Sequence, residues 1–219
     1  MKRTSTAGLL LGLLLAARPV LAQDEYDNGV GELSLNAGFA LPLGNAASAL
    51  SQSDVINFAV PFGIAVGYRI AGVVFVGGTF TYAPFGSPNS GTFTTCAVAG
   101  TSCHSTTFRA GFSVQWHPLG SRGLDPYVGV GAGYEWLTVD ISGNGTDLSS
   151  QFNGFSWLEV PVGVDFRLSK DIRLGPYLGF MMGQYRNASV TLSGVSGLIP
   201  HRAIHFWLSA GVRLVFLSL

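Results

Sequence analysis

The sequence predicts an all-β fold: an eight-stranded antiparallel up-and-down transmembrane β-barrel. Three observations carry that prediction. An apolar face recurs at every second residue in eight separate stretches, the links between them alternate short and long, and aromatic residues gather at both ends of the apolar faces. A period of two puts alternate residues on opposite faces of a strand. Short turns at one end, long loops at the other and aromatic girdles at both interfaces are the marks of membrane barrels.

The eight predicted strands are 32–41, 57–70, 74–82, 107–117, 126–137, 157–168, 174–185 and 203–216. The last is the clearest. Ile204, Phe206, Leu208, Ala210, Val212, Leu214 and Phe216 form one face, while His205, Trp207, Ser209 and Arg213 lie on the other. The same alternation gives Leu33, Leu35 and Phe39 in the first strand, Phe62, Ile64 and Val66 in the second, and Phe80 and Tyr82 in the third. It continues with Phe108, Phe112 and Trp116, then Val128, Val130 and Trp136, then Leu158 to Leu168, then Leu178 and Phe180. None of these faces holds Asp, Glu, Lys, Arg or His. The opposite faces carry Glu32, Arg69, Arg109, His117, Glu135, Glu159, Asp165, Arg167, His205 and Arg213.

Links 70–72, 118–125 and 169–171 are short, whereas 44–56, 85–105, 138–155 and 186–202 are long. Phe58, Tyr82, Phe108, Tyr134, Trp136 and Phe206 cluster toward the long links; Tyr68, Trp116, Phe166 and Phe216 toward the short ones. The inward faces are rich in glycine, which lets a strand bend sharply while a neighbouring tyrosine covers the bare backbone. A transmembrane helix over 55–81 is long and apolar enough, but its glycines, β-branched residues, period of two and central Arg69 argue for strands.

Residues 1–22 read as a signal peptide: Lys2 and Arg3, a short apolar core, then Val20-Leu21-Ala22 before the expected cleavage. The barrel is expected to occupy 23–219. Losing Lys2, Arg3 and Arg18 leaves nine basic against twelve acidic residues, a formal charge of 9 − 12 = −3. That excludes a basic nucleic-acid binder. Only 11% of residues are charged and 30 are glycine, a composition foreign to ordinary soluble domains. Cys96 and Cys103 share one Ser/Thr/Gly-rich stretch, and in an exported chain such a pair forms a local disulfide. Two Cys and His104 fall short of a metal ligand set, and no cofactor motif is present.

Register arithmetic makes a specific claim about the interior. Across the short link after the fourth strand, facing residues keep a constant sum. If His117 faces Tyr127, Arg109 faces Glu135, and both point inward. Opposite charges across a ladder attract, and in a narrow interior neither stays charged cheaply alone. Glu32 should approach Arg213 once the ring closes. Arg69 and Glu159 complete the expected charge network of the lumen.

Ser209-x-Gly211-x-x-Leu214-x-Phe216 resembles the C-terminal assembly signal of outer-membrane barrels, with Leu217-Ser218-Leu219 as a departure beyond the usual final aromatic. Residues 124–136, LDPYVGVGAGYEW, are similar to a strand of small eight-stranded outer-membrane proteins. The chain thus resembles the transmembrane domain of the outer-membrane protein A and W type. That resemblance implies the bacterial outer membrane, long loops outside and both termini in the periplasm. It also implies recognition of the last strand by the assembly machinery, with outer-membrane lipids as the standing partner. A monomer is expected.

The leading functional expectation is a structural, surface-exposed or weakly ligand-binding role, because side chains nearly fill an eight-stranded interior. The alternative is a narrow diffusion channel for small solutes. The third is a lipid-modifying enzyme, for which the sequence supplies no convincing nucleophile and base. His205 and Ser209 share a face, but four residues along a strand is about 13 Å, beyond contact.

Overall fold

The computed structural model describes residues 29–47, 50–88, 96, 100–120, 123–143, 146–192, 195–199 and 202–217. The expected signal peptide lies outside them. Eight long strands make the wall: β1 (Val30–Ala47), β2 (Ile56–Ile70), β3 (Val74–Pro88), β4 (Ser102–Trp116), β5 (Leu124–Gly143), β6 (Thr146–Arg167), β7 (Ile172–Leu192) and β8 (Ala203–Leu217). Each pairs antiparallel with its neighbour in sequence, and β8 pairs with both β7 and β1, closing the ring. Three small elements decorate one end: the strand Leu50–Ser51, the helical turn Gln52–Val55 and the strand Val195–Ile199. Among the described residues no helix is long and apolar enough to cross a membrane, and 56–70 and 74–88 are strands, as the period of two requires.

The outward faces are apolar. Phe39, Phe112, Val130 and Leu178 are 65%, 62%, 56% and 56% exposed, a condition stable only against lipid. The inward faces hold Glu32, Arg69, Asp125, Glu135, Asp165, Arg173 and Arg213, each at most 3% exposed.

Two expectations need correction. The long links 138–155 and 186–202 are mostly strand rather than loop. β5, β6 and β7 run for 20, 22 and 21 residues, and the hairpin pairs from Thr138↔Gln151 to Gly143↔Thr146 occupy what the sequence marked as loop 138–155. β7 continues past Tyr185 and is met by Val195–Ile199. The physical reason is that the polarity of the alternation inverts. Below Trp136 apolar residues face out. Above it Leu137, Val139 and Ile141 are buried inside, while Asp140 and Ser142 are exposed. The strands leave the hydrocarbon and continue as an aqueous sheet around an apolar core.

The second correction concerns β6. Its register shifts between Ser156 and Leu158, so Phe155 and Trp157 face outward although Phe166 and Leu168, of opposite parity, do too. A bulge inserts one residue and flips the faces beyond it.

Close strand approach needs glycine at the β1–β8 seam, where Gly38 faces Gly211. A Cβ on Gly211 would run into the Ala37 carbonyl and sit 2.8 Å from the Tyr177 ring, which covers that bare backbone.

Candidate functional site

The interior is layered. At the short-turn end, eight side chains from every strand region except β3 converge. Arg69 donates through Nε to Glu32 Oε2 and through Nη1 to Asp125 Oδ2, both at 2.7 Å. Arg173 Nη1 reaches the same Asp125 oxygen at 3.1 Å, as does His117 Nδ1. Arg213 Nη2 donates to Glu32 Oε1 at 2.6 Å, and its Nη1 lies 3.6 Å from Asp165 Oδ2. Tyr127 packs against both His117, at 5.3 Å between rings, and the Arg213 guanidinium, at 4.3 Å. Three carboxylates thus face three guanidiniums out of bulk water, where each charge depends on its partners.

A second cluster lies toward the long-loop end. Glu135 is fully buried and collects four donors. Tyr185 Oη donates at 2.6 Å and Trp207 Nε1 at 3.0 Å to Oε1, while Arg109 donates to Oε2 from Nη2 at 3.1 Å and Nε at 3.2 Å. Glu159 stands 3.8 Å from Arg109 and accepts from Ser156 Oγ at 3.0 Å. His205 stacks flat on Tyr185 at 3.8 Å and comes within 3.6 Å of Glu135.

Above this cluster the interior turns apolar. Val55, Ile56, Leu137, Val139, Ile141 and Phe152 pack with Trp207 and Tyr185. The helical turn Gln52–Val55 closes over them, with the Gln52 carboxamide 3.1 to 3.4 Å from Leu43 O, Trp207 Nε1 and Tyr185 Oη. Cys96 and Cys103 are joined in a disulfide that packs against the same core. Cys103 belongs to β4, within the stretch 85–105 that the sequence marks as a long link. Between the two charged clusters lies a cavity of about 140 Å³, where Ser34, Asn36, Thr79, Thr81, Thr107, Ser113, Gln115 and Ser209 contribute polar groups to a wall otherwise made by apolar residues such as Ala40, Ala59, Pro161 and Met181. Arg109, Glu159 and Trp207 bound it on one side, Tyr127 and Arg213 on the other.

The structure brings the six charged residues picked out by sequence into these two clusters. Arg109 faces Glu135 directly in the β4–β5 register, and Glu32 meets Arg213 although their ladder partners are Leu217 and Asn36. Sequence reasoning missed Asp125 and Arg173. Each lies one residue before a predicted strand start, and one more step of alternation points both inward. His117, Asp125 and Asp165 offer ligand atoms within 4.8 Å of one another, but Arg69 and Arg173 already supply the positive charge at Asp125. Of the expected assembly-signal residues, Ser209 donates to Gly179 O at 3.3 Å, Gly211 sits at the seam, and Leu214 and Phe216 are half-buried on the outward parity.

A closed ring with charges inside and exposed apolar side chains outside defines an integral β-barrel membrane protein. Residues 7–191 match the family described as outer membrane protein beta-barrel domain, and the chain belongs to it. It is an outer-membrane protein of the bacterial envelope. A major outer membrane protein from Thermus thermophilus superposes with a TM-score of 0.59 at 12% identity, over 86% of this chain and 98% of that one. OprG from Pseudomonas aeruginosa gives 0.50 at 15% identity over 88% and 99%. Neisserial surface protein A gives 0.49 at 19% identity over 84% and 95%. The first two likenesses are of fold. No curated protein matches the chain.

Proposed function

We propose that this protein is a closed barrel with a structural, surface-exposed role, able at most to hold a small polar ligand in its lumen. The observation that carries the reading is the layering of the interior: a buried ion network at one end, a second network around Glu135, and an apolar plug beyond it. The cavity between them, about 140 Å³, is bounded by Arg109, Glu159 and Trp207 on one side and by Tyr127 and Arg213 on the other. The experiment is conductance in planar bilayers, where the reconstituted protein should give no current steps. Sustained single-channel steps would replace this reading by the diffusion channel, which the polar side chains of the cavity favour.

The rest follows from the same architecture. The extended ends of β5 to β7 stand outside the cell and both termini in the periplasm, supported by the short turns between strands at the terminal end. Outer-membrane lipids surround a single copy of the chain, and the assembly machinery reads Ser209, Gly211, Leu214 and Phe216 during insertion. With residues 1–22 removed as expected, the chain is net acidic at 9 − 12 = −3 and offers no basic face to nucleic acid. The protein is not an enzyme: His205 is engaged by Tyr185 and Glu135 rather than poised at Ser209, and His117 by Asp125 and Tyr127.

A further inference from the structure

We propose that the outward face of β4 to β7 above the aromatic belt docks the uncharged sugar headgroup of a glycolipid in the surrounding leaflet. Leu137, Val139 and Ile141 point into the apolar plug, so Thr138, Asp140 and Ser142 point out. The ladders extend that face across four strands. Thr106 faces Thr138, Thr138 faces Gln151, and Gln151 faces Ser189, which makes one row. Two residues higher, His104, Asp140, Ser149 and Thr191 make a second row, and Ser102 with Ser142 begins a third. The upper rows are laced together: Ser149 Oγ donates to Asp140 at 2.7 Å, and the Ser102 and Ser142 hydroxyls are 2.9 Å apart. In the first row Thr106, Thr138, Gln151 and Ser189 form no side-chain hydrogen bond with a described residue.

The chemistry of the rows selects a sugar. They hold one carboxylate, Asp140, and neither Lys nor Arg, whereas a face built for water alone draws about a quarter or more of its residues from charged types. Thr, Ser and Gln side chains both donate and accept hydrogen bonds, as sugar hydroxyls do. Height selects a sugar carried by a lipid. Directly below the first row lies the aromatic belt, where Phe108 meets Trp136 at 5.3 Å, Trp136 meets Tyr134 at 4.6 Å and Tyr134 meets Phe155 at 5.0 Å. Such belts sit at the level of lipid headgroups. Lower still, the same wall presents Phe112, Val130 and Phe180 to acyl chains. The surface therefore runs without a break from hydrocarbon, through the belt, to the hydroxyl rows. On tilted barrel strands each row climbs about 5 Å. The second and third rows thus stand above a phospholipid headgroup layer, which is roughly 5 to 8 Å deep. A lipid that covers the wall from bottom to top carries an extended, uncharged headgroup. A phospholipid leaves the upper rows bare, and a soluble glycan leaves the belt unused.

The test is native mass spectrometry of the folded protein released from phosphatidylcholine bilayers doped with monogalactosyl and digalactosyl diacylglycerol. Wild type should retain the two-sugar lipid best, the one-sugar lipid less and phosphatidylcholine least. The T138A/Q151A double variant removes two side chains of the unpartnered row. It should lose the preference for the two-sugar lipid about tenfold, the scale of two neutral hydrogen bonds, with Q151A alone in between. K170Q, which alters an exposed residue at the short-turn end, should behave as wild type. Heat-modifiable migration on gels checks that every variant is folded. Equal retention of the three lipids by wild type, or an undiminished preference in the folded double variant, overturns the docking face. Full displacement of the two-sugar lipid by millimolar lactose overturns the membrane lipid as its occupant.

Discussion

One oxygen of Asp125 meets Arg69, Arg173 and His117 at once. Removing that carboxylate strands the Arg173 guanidinium in a buried layer and leaves Arg69 with Glu32 alone, and breaking such pairs costs about 3–5 kcal/mol. Asp125→Ala should lower stability by that amount in urea unfolding from lipid vesicles; a loss under about 1 kcal/mol would mean that the layer is solvated. The Arg109–Glu135 pair calls for a double-mutant cycle. Glu135→Ala also strips Tyr185 and Trp207 of their acceptor, so the two single changes should be non-additive by about 0.5–3 kcal/mol. This pair was legible in the sequence because a short turn fixes the register, and register fixes who faces whom. Asp125 and Arg173 were not, because turn residues were excluded from the alternation that in fact continues through them. The Glu135 contacts of Tyr185 and Trp207 join residues 50 and 72 positions apart, and no local rule reports such meetings.

At the scale of the element, a strand of this protein has two regimes. β5 turns apolar side chains outward as far as Trp136 and inward from Leu137 onward. A search for outward apolar faces finds the first regime and stops at the second, which is why all eight strands were legible and their upper halves were not. The bulge in β6 escaped notice for a related reason: it preserves the look of alternation on either side while exchanging the faces. The two regimes predict different tolerance to charge. Val130→Arg, in mid-band, should cost about 2–4 kcal/mol in a bilayer. Ser142→Arg, on the same strand above the band, should change stability by no more than about 0.5 kcal/mol. Both are read from the urea midpoint of the folded, heat-modifiable species.

At the scale of the molecule, the barrel is a wall around a stack: ions, a small cavity, more ions, and an apolar cap held by one helical turn. The cap was hidden from sequence reasoning because four residues, Gln52–Val55, carry no periodicity, and their burial depends on β5 and β8 arriving over them. If the stack seals the lumen, a chloride-sensitive dye trapped in vesicles bearing the protein should stay unquenched when iodide is added outside. The double change Arg109→Ala and Glu135→Ala should raise the leak.

The ion pair between Glu32 and Arg213 spans 181 positions of chain and lies across the seam of β1 and β8. Bringing such distant segments together carries the largest loop-closure cost in the fold, so the contact has to wait until the intervening hairpins have formed. Its place in time is therefore last. A contact absent from the transition state affects how fast a protein comes apart, not how fast it goes together. Arg213→Gln should speed unfolding in proportion to the stability lost while leaving the rate of insertion into short-chain lipid vesicles unchanged. Slower insertion with unaltered unfolding would put the seam early, and the ring would then grow outward from its own closure.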